Sequence, residues 1–254
     1  METAITIRGL NKEFSAGESD ENTKVLENLS LEIKEGEFVS VFGPNGCGKT
    51  TLLLILAGVE KPTRGEVLIH GKPPSDAVTG FVFQNYREAL LPWRSCLENV
   101  AFPLEIRGVP KKQRENQAAE LVSRLKLKID LARPPYMQSG GQQQLVAIAR
   151  AMISNPDVMI MDEPLSSLDI GASIMMRETI ERIWLESRRT TIYVSHDIDD
   201  SIYLADRVVV LTGRPGGVRM VLENDLPHPR SAQIGTAKFN ELRNTVLKAF
   251  YQQL

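Results

Sequence analysis

Eight residues, Gly43-Pro44-Asn45-Gly46-Cys47-Gly48-Lys49-Thr50, carry the densest chemistry in this chain. They spell G-x-x-x-x-G-K-[ST], the pattern of a loop that wraps the phosphates of a nucleoside triphosphate. Its glycines let backbone N–H groups turn inward, and a helix starting at the end of the loop adds the positive end of its dipole. Lys49 supplies a mobile cation for the β- and γ-phosphates, and the Thr50 hydroxyl is a ligand for Mg²⁺. Farther along, Asp157 to Pro164 is an apolar run ending in two adjacent acids, Asp162 and Glu163, with no local partner. A phosphate site needs one acid to hold Mg²⁺ through water and another to orient the attacking water. Asp162 suits the first task and Glu163 the second. Ser139-Gly140-Gly141-Gln142 opens a second candidate anion site, since serine caps helices and two glycines let a ligand approach the backbone closely. The same four residues also read as an ordinary capped helix start. His196 stands at the carboxyl end of a β-rich run, where open α/β sheets bind ligands, and reads equally as a satisfied strand-end histidine.

The elements that must position these groups are legible as periodicity. Phe38-Val39-Ser40-Val41-Phe42 is a short buried strand feeding the phosphate loop, and Thr51 to Ala57 continues as a helix. Strands are expected over Ala4–Phe14, Val25–Ile33, Gly65–Gly71, Gly80–Gln84, Asp157–Asp162, Thr190–Val194 and Arg207–Leu211, with Gln84 as a polar group at the end of its strand. Phe14, on a β-rich segment before the loop, suits the core better than stacking on a base when judged on pattern alone. Residues 16–24 read as a polar connector. Over 95–129 the period turns helical, with Ala118, Leu121, Val122 and Leu125 on one face and Pro103 and Gly108-Val109-Pro110 as dividers. Pro227-His228-Pro229-Arg230 reads as a rigid linker, and 238–252 as an amphipathic helix with Phe239, Leu242, Val246 and Phe250 on one face.

Composition narrows the class. The 254 residues allow one large α/β domain or two lobes sharing a core. A net charge of −2 offers no electrostatic footprint for nucleic acid. Two cysteines are too few for a disulfide framework and fit a reducing compartment. No run approaches a membrane span, and Met1-Glu2-Thr3-Ala4 does not read as a signal peptide, so a membrane role is expected to come through a partner.

Six motifs stand in one order: the phosphate loop, Gln84, Ser139–Gln142, the acid pair, Ser167-Leu168-Asp169 and His196. That series resembles the ATP-binding cassette (ABC) ATPases over about residues 5–215. The resemblance implies an α/β P-loop NTPase fold, an ABC cassette with a mixed β core, an inserted helical subdomain and an antiparallel β subdomain. It places the cassette at 1–230, its helical subdomain at about 87–154, and a C-terminal amphipathic helix at 231–254. It implies ATP and Mg²⁺ as cofactors, held by Gly43, Pro44, Asn45, Gly46, Cys47, Gly48, Lys49, Thr50 and Thr51, with Phe14 now the adenine-stacking aromatic. Thr50, Gln84 and Asp162 become the metal residues, and Glu163, His196 and Gln84 the catalytic group. Ser139, Gly140, Gly141 and Gln142, with Asp169, serve the nucleotide of a second cassette packed head to tail. Two positions depart from the pattern: Gln138 stands where the family's leucine is usual, and Leu145 where an arginine is common.

Within the family, Leu91-Pro92-Trp93, Leu97-Glu98-Asn99-Val100 and Gly213-Arg214-Pro215-Gly216 are similar to importer ATPases of the nitrate, sulfonate, taurine and bicarbonate group. That likeness implies transmembrane permease subunits, a second cassette of the same or a related chain, a solute-binding protein, and a peripheral place on the cytoplasmic face of the inner membrane. The rival reading is a soluble ABC ATPase acting on nucleic acid or ribosomes. The coiled-coil insertion and second cassette of such relatives are not in the sequence. Tyr86, Leu90, Leu91 and Trp93 crowd one connector after Gln84, and some of them are expected to form an exposed patch for the permease.

Overall fold

The run Phe38–Phe42 (β3) shows why the molecule is layered. Each of its residues is buried, with Phe38 and Phe42 facing one apolar cluster and Val39 and Val41 another. In Val158–Asp162 (β6), Met159 and Met161 join the first cluster and Val158 and Ile160 the second. Thr190–Val194 (β7) divides in the same way. A strand buried on both faces reads as an uninterrupted apolar run and needs a layer of structure on each side.

The computed structural model describes residues 2–15 and 22–251. Most of the expected connector over 16–24 and the last residues of the C-terminal segment lie outside them. Thr79–Val82 (β5), Arg207–Leu211 (β8) and Val218–Glu223 (β9) complete a six-stranded sheet in the order β5-β6-β7-β3-β8-β9. Its pairs are parallel except β8 with β9. A second, antiparallel sheet, β2-β1-β4, joins Thr3–Phe14 (β1), Thr23–Lys34 (β2) and Arg64–Ile69 (β4). Between the sheets lies Lys49–Leu56 (α1), with Leu52, Leu53, Ile55 and Leu56 buried. The other face of the large sheet carries the remaining helices, so the mixed core, antiparallel sheet and helical layer match the expected α/β class.

Tyr86–Ala89 (α2), Cys96–Ile106 (α3), Lys111–Arg124 (α4) and Gly140–Met152 (α5) pack together beside that face. Ser95 starts α3 with a capping box to Glu98. Pro103 does not divide this stretch, contrary to the sequence reading. It sits inside α3, where burial of Val100, Ala101 and Leu104 against α4 and α5 outweighs the hydrogen bond a proline removes. Gly108, at φ 76°, marks the turn that follows the helix.

Ile170–Ser187 (α6) and Ile198–Leu204 (α7) follow β6 and β7. They are tied together by the segment that reads as a linker. Arg230 is 1% exposed, and its guanidinium donates to the carbonyls of Leu226, Ile202, Tyr203, Ala205 and Asn224. His228 meets Glu181 of α6 at 2.6 Å and Asp206 at 3.2 Å. Burial opposes its charged form, but the hydrogen bonds to Asp206 and Glu181 prevail and raise its pKa. A buried arginine persists only where its donors are met, so this segment is a latch rather than a spacer. Ala237–Tyr251 (α8) then packs Phe239, Leu242 and Val246 into the larger cluster.

Candidate active site

The phosphate loop leaves β3 and enters α1 at Gly48, whose φ of 97° is left-handed. A Cβ on Gly48 would also meet Leu26 Cδ2 at 2.7 Å, so glycine is required there by conformation and by space. Lys49 is buried and folds back, its Nζ donating to the carbonyls of Gly43 (2.9 Å) and Pro44 (3.0 Å). Those carbonyls hold the ammonium at the loop until a stronger anionic acceptor takes it. Cys47 is buried in the loop, and burial raises its thiol pKa.

Thr50 Oγ1 donates to Asp162 Oδ2 at 3.0 Å. Burial raises the Asp162 pKa, the Thr50 hydrogen bond opposes that rise, and neighbouring Glu163 adds to it. A hydroxyl and a nearly buried carboxylate, both hard oxygen donors in contact, are the partial shell that Mg²⁺ takes when phosphates and water supply the rest. Among the described residues no group of three or more His, Cys, Asp or Glu forms a complete metal site.

Glu163 is where the distant motifs meet. Its Oε2 accepts from Gln84 Nε2 at 2.9 Å and lies 3.1 Å from His196 Nδ1. Gln84, Glu163 and His196 follow β5, β6 and β7, three neighbouring strands, while the phosphate loop follows β3 beside β7. All four lie at the carboxyl edge of the sheet, where an open α/β sheet leaves its crevice. The result is a cavity of about 680 Å³ lined by Asn45, Gly46, Lys49, Thr50, Glu163 and His196, among others. A carboxylate that accepts from an amide, beside an ammonium and a magnesium-competent pair, suits displacement at a terminal phosphate.

Two lining residues are not among the sequence-predicted site, Val25 and Arg214. The signal for them is Gly216, whose added Cβ would stand 2.0 Å from the Cys47 carbonyl oxygen, so the 213–217 turn is pressed against the phosphate loop. Phe14 does not line the cavity and is not core: it is 39% exposed, with Lys12 Nζ 4.5 Å above its ring. It is the last residue of β1, and its pairing partner Thr23 is two residues from Val25 at the cavity wall.

The Ser139–Gln142 site is separate. Ser139 caps α5 in a reciprocal box with Gln142, and both line a different hollow, of about 820 Å³, together with Gly140, Gly141 and Asp169. Asp169 caps α6 through Ala172 N at 2.8 Å. One chain therefore does not bring this helix start to Lys49. Gln138 is buried without penalty, its amide donating to the Asp130 carbonyl at 2.8 Å, and Leu145 packs partly on the core. In the connector after Gln84, Tyr86 and Leu90 are buried and only Trp93, at 77% exposure, projects fully. The expected patch thus contracts to Trp93, and its alternative role in the core is ruled out.

Comparison with known proteins adds the following. The ABC transporter family model matches residues 26–166. An uncharacterised ABC transporter ATP-binding protein of Methanocaldococcus jannaschii is 40% identical over 97% of this chain and 91% of its own length. An aliphatic sulfonates import ATP-binding protein of Bacillus cereus is 38% identical over 97% of this chain and 95% of its own. A bacterial ABC transporter cassette solved as a dimer superposes with a TM-score of 0.74 at 33% identity, covering 88% of this chain and 100% of that one. The same cassette has also been solved in a post-hydrolysis state bound to ADP and Pi, at 32% identity.

Proposed function

The chain belongs to the ABC transporter family and is an ATP-hydrolysing cassette, and on that premise we propose that it powers import of a small anionic solute through a membrane permease. The convergence of Gln84 and His196 on Glu163, beside the Thr50–Asp162 pair, carries this reading. ATP enters the cavity, and Lys49 exchanges the Gly43 and Pro44 carbonyls for the β- and γ-phosphates. Backbone N–H groups of residues 45–51 surround the same oxygens, and the base extends past Val25 at the cavity wall to stack on the exposed ring of Phe14. Thr50 and Asp162, with Gln84 beside them, would hold Mg²⁺, which when bound would supply positive charge against the phosphate oxygens. Glu163 takes a proton from the attacking water as that water adds to the γ-phosphorus and the bond to ADP breaks. Gln84 orients that water, and His196 donates to the phosphoryl oxygen as charge develops there. Ser139, Gly140 and Gly141 of a second cassette cap the same phosphate, with Gln142 holding their turn and Asp169 alongside.

One relative and three short motifs support the solute class. The 91–93, 97–100 and 213–216 motifs support the nitrate, sulfonate, taurine and bicarbonate group as a whole, and the sulfonate-import relative favours sulfonates within it. Permease subunits dock at Trp93, a solute-binding protein delivers the anion, and the cassette sits peripherally on the cytoplasmic face of the inner membrane. No described helix is long and apolar enough to cross a membrane. The test is co-purification with membrane subunits, reconstitution in vesicles, and uptake of labelled alkanesulfonate, taurine, nitrate and bicarbonate. ATP-driven uptake of one of them, abolished by Glu163→Gln, is expected. A co-purified complex that hydrolyses ATP and moves none of these anions overturns the solute class.

A further inference from the structure

His196 has less packing around it than its task requires. Its side chain is 59% exposed, against 14% for Glu163. A side chain that exposed is aimed by its backbone, and its backbone by whatever anchors the turn. Asp197, the next residue, caps α7, its Oδ1 accepting from Asp199 N (2.7 Å) and Asp200 N (3.2 Å). Ser195, on the other side, accepts from Asp197 N at 3.0 Å. These bonds shape the turn locally but do not fix it to the rest of the protein.

Two ion pairs do. Arg243 of α8 meets Asp199 at 2.7 Å, but both side chains are nearly half exposed, and pairs of that kind contribute little. Arg177 of α6 meets Asp200 at 3.1 Å with side chains only 13% and 9% exposed. Its guanidinium also lies 4.4 Å from the centre of the Tyr203 ring. Arg177 and Asp200 line a second cavity, of about 270 Å³, whose walls include Glu163 and His196, while neither lines the nucleotide cavity. Burial of such a pair is costly, and an apolar pair of equal volume would join α6 to α7 at least as well. What the charged pair adds is direction, because the planar guanidinium fixes the carboxylate and with it the first turn of α7.

We propose that Arg177 and Asp200 are the positioning pair for His196, holding its imidazole against Glu163 without touching nucleotide. This rests on the assignment of His196 to the reacting phosphate. It is tested by steady-state ATP hydrolysis of the purified full chain carrying Arg177→Met, Arg177→Lys or Asp200→Asn, each with and without His196→Ala. Arg177→Met should lower kcat about tenfold or more, with KM for ATP and affinity for ADP within about twofold, since misplacement of one donor costs turnover rather than binding. Arg177→Lys should restore part of the loss. In the His196→Ala background Arg177→Met should cost less than about twofold further, because residues acting through one another are not additive. Asp200→Asn keeps the shape of the pair and should show the same non-additivity at a smaller loss, which carries the test if Arg177→Met unfolds. Full additivity, or a loss of ADP affinity equal to the loss of kcat, overturns the proposal. Unchanged turnover in His196→Ala alone would instead overturn the assignment of His196, a separate failure.

Discussion

Glu163 occupies a backbone conformation that its side chain disfavours, which makes an unusual ranking testable. Its φ is 44°, in the left-handed region, where a non-glycine residue costs about 1–2 kcal/mol. The surroundings impose it: Glu163 N donates to the Val194 carbonyl at 2.9 Å, and its own carbonyl accepts from Ser166 N and Oγ at 3.2 and 2.9 Å. Glu163→Ala and Glu163→Gly both delete the carboxylate and its contacts with Gln84 and His196, so those losses cancel between the two variants. The alanine variant keeps the strain, and the glycine variant sheds it at a cost of about 0.5–1 kcal/mol in unfolded-chain entropy. The glycine variant should therefore be the more stable by up to about 1.5 kcal/mol, or up to about 3–6 °C in melting temperature for a chain of this size. At an ordinary position the order is the reverse. Differential scanning calorimetry of the two nucleotide-free proteins measures the gap, and ATP turnover in both should fall about 10²- to 10⁴-fold. An alanine variant that melts at or above the glycine variant would refute the strain argument.

Two further outcomes are expected. Trp93→Ala should leave the melting temperature of the isolated chain within about 2 °C, since Trp93 is 77% exposed. It should weaken capture of the membrane subunits by an anchor's worth, about 2 kcal/mol, and a sharp drop in melting with normal capture would contradict the exposed reading. Arg230→Met leaves five backbone carbonyls and the Asp206–Glu181 side of the latch short of a buried cation, a loss of about 3–5 kcal/mol. That corresponds to a fall of about 6–20 °C, measured by thermal unfolding, and a change under about 3 °C would mean that the latch adds little.

Sequence alone determined what is local. The spacing of Gly43 to Thr50, the apolar runs of β3, β6 and β7, and the capped start at Ser139 are written in neighbouring residues. Backbone conformation and helix caps depend on those neighbours. The tertiary structure decided which distant groups share a site and which side chains are enclosed. Gln84 and His196 reach one oxygen of Glu163 because β5, β6 and β7 are adjacent in the sheet, an order no local pattern states. Ser139 is kept in another hollow because α5 belongs to the helical layer. Of four bulky groups in one connector, Tyr86 and Leu90 turn inward and Trp93 outward. Pro227–Arg230 carries the composition of a linker, yet its arginine is buried because the end of α7 offers carbonyls that need a donor. Burial and pairing at long range depend on the surface the rest of the chain presents, and that surface exists only once the chain has folded.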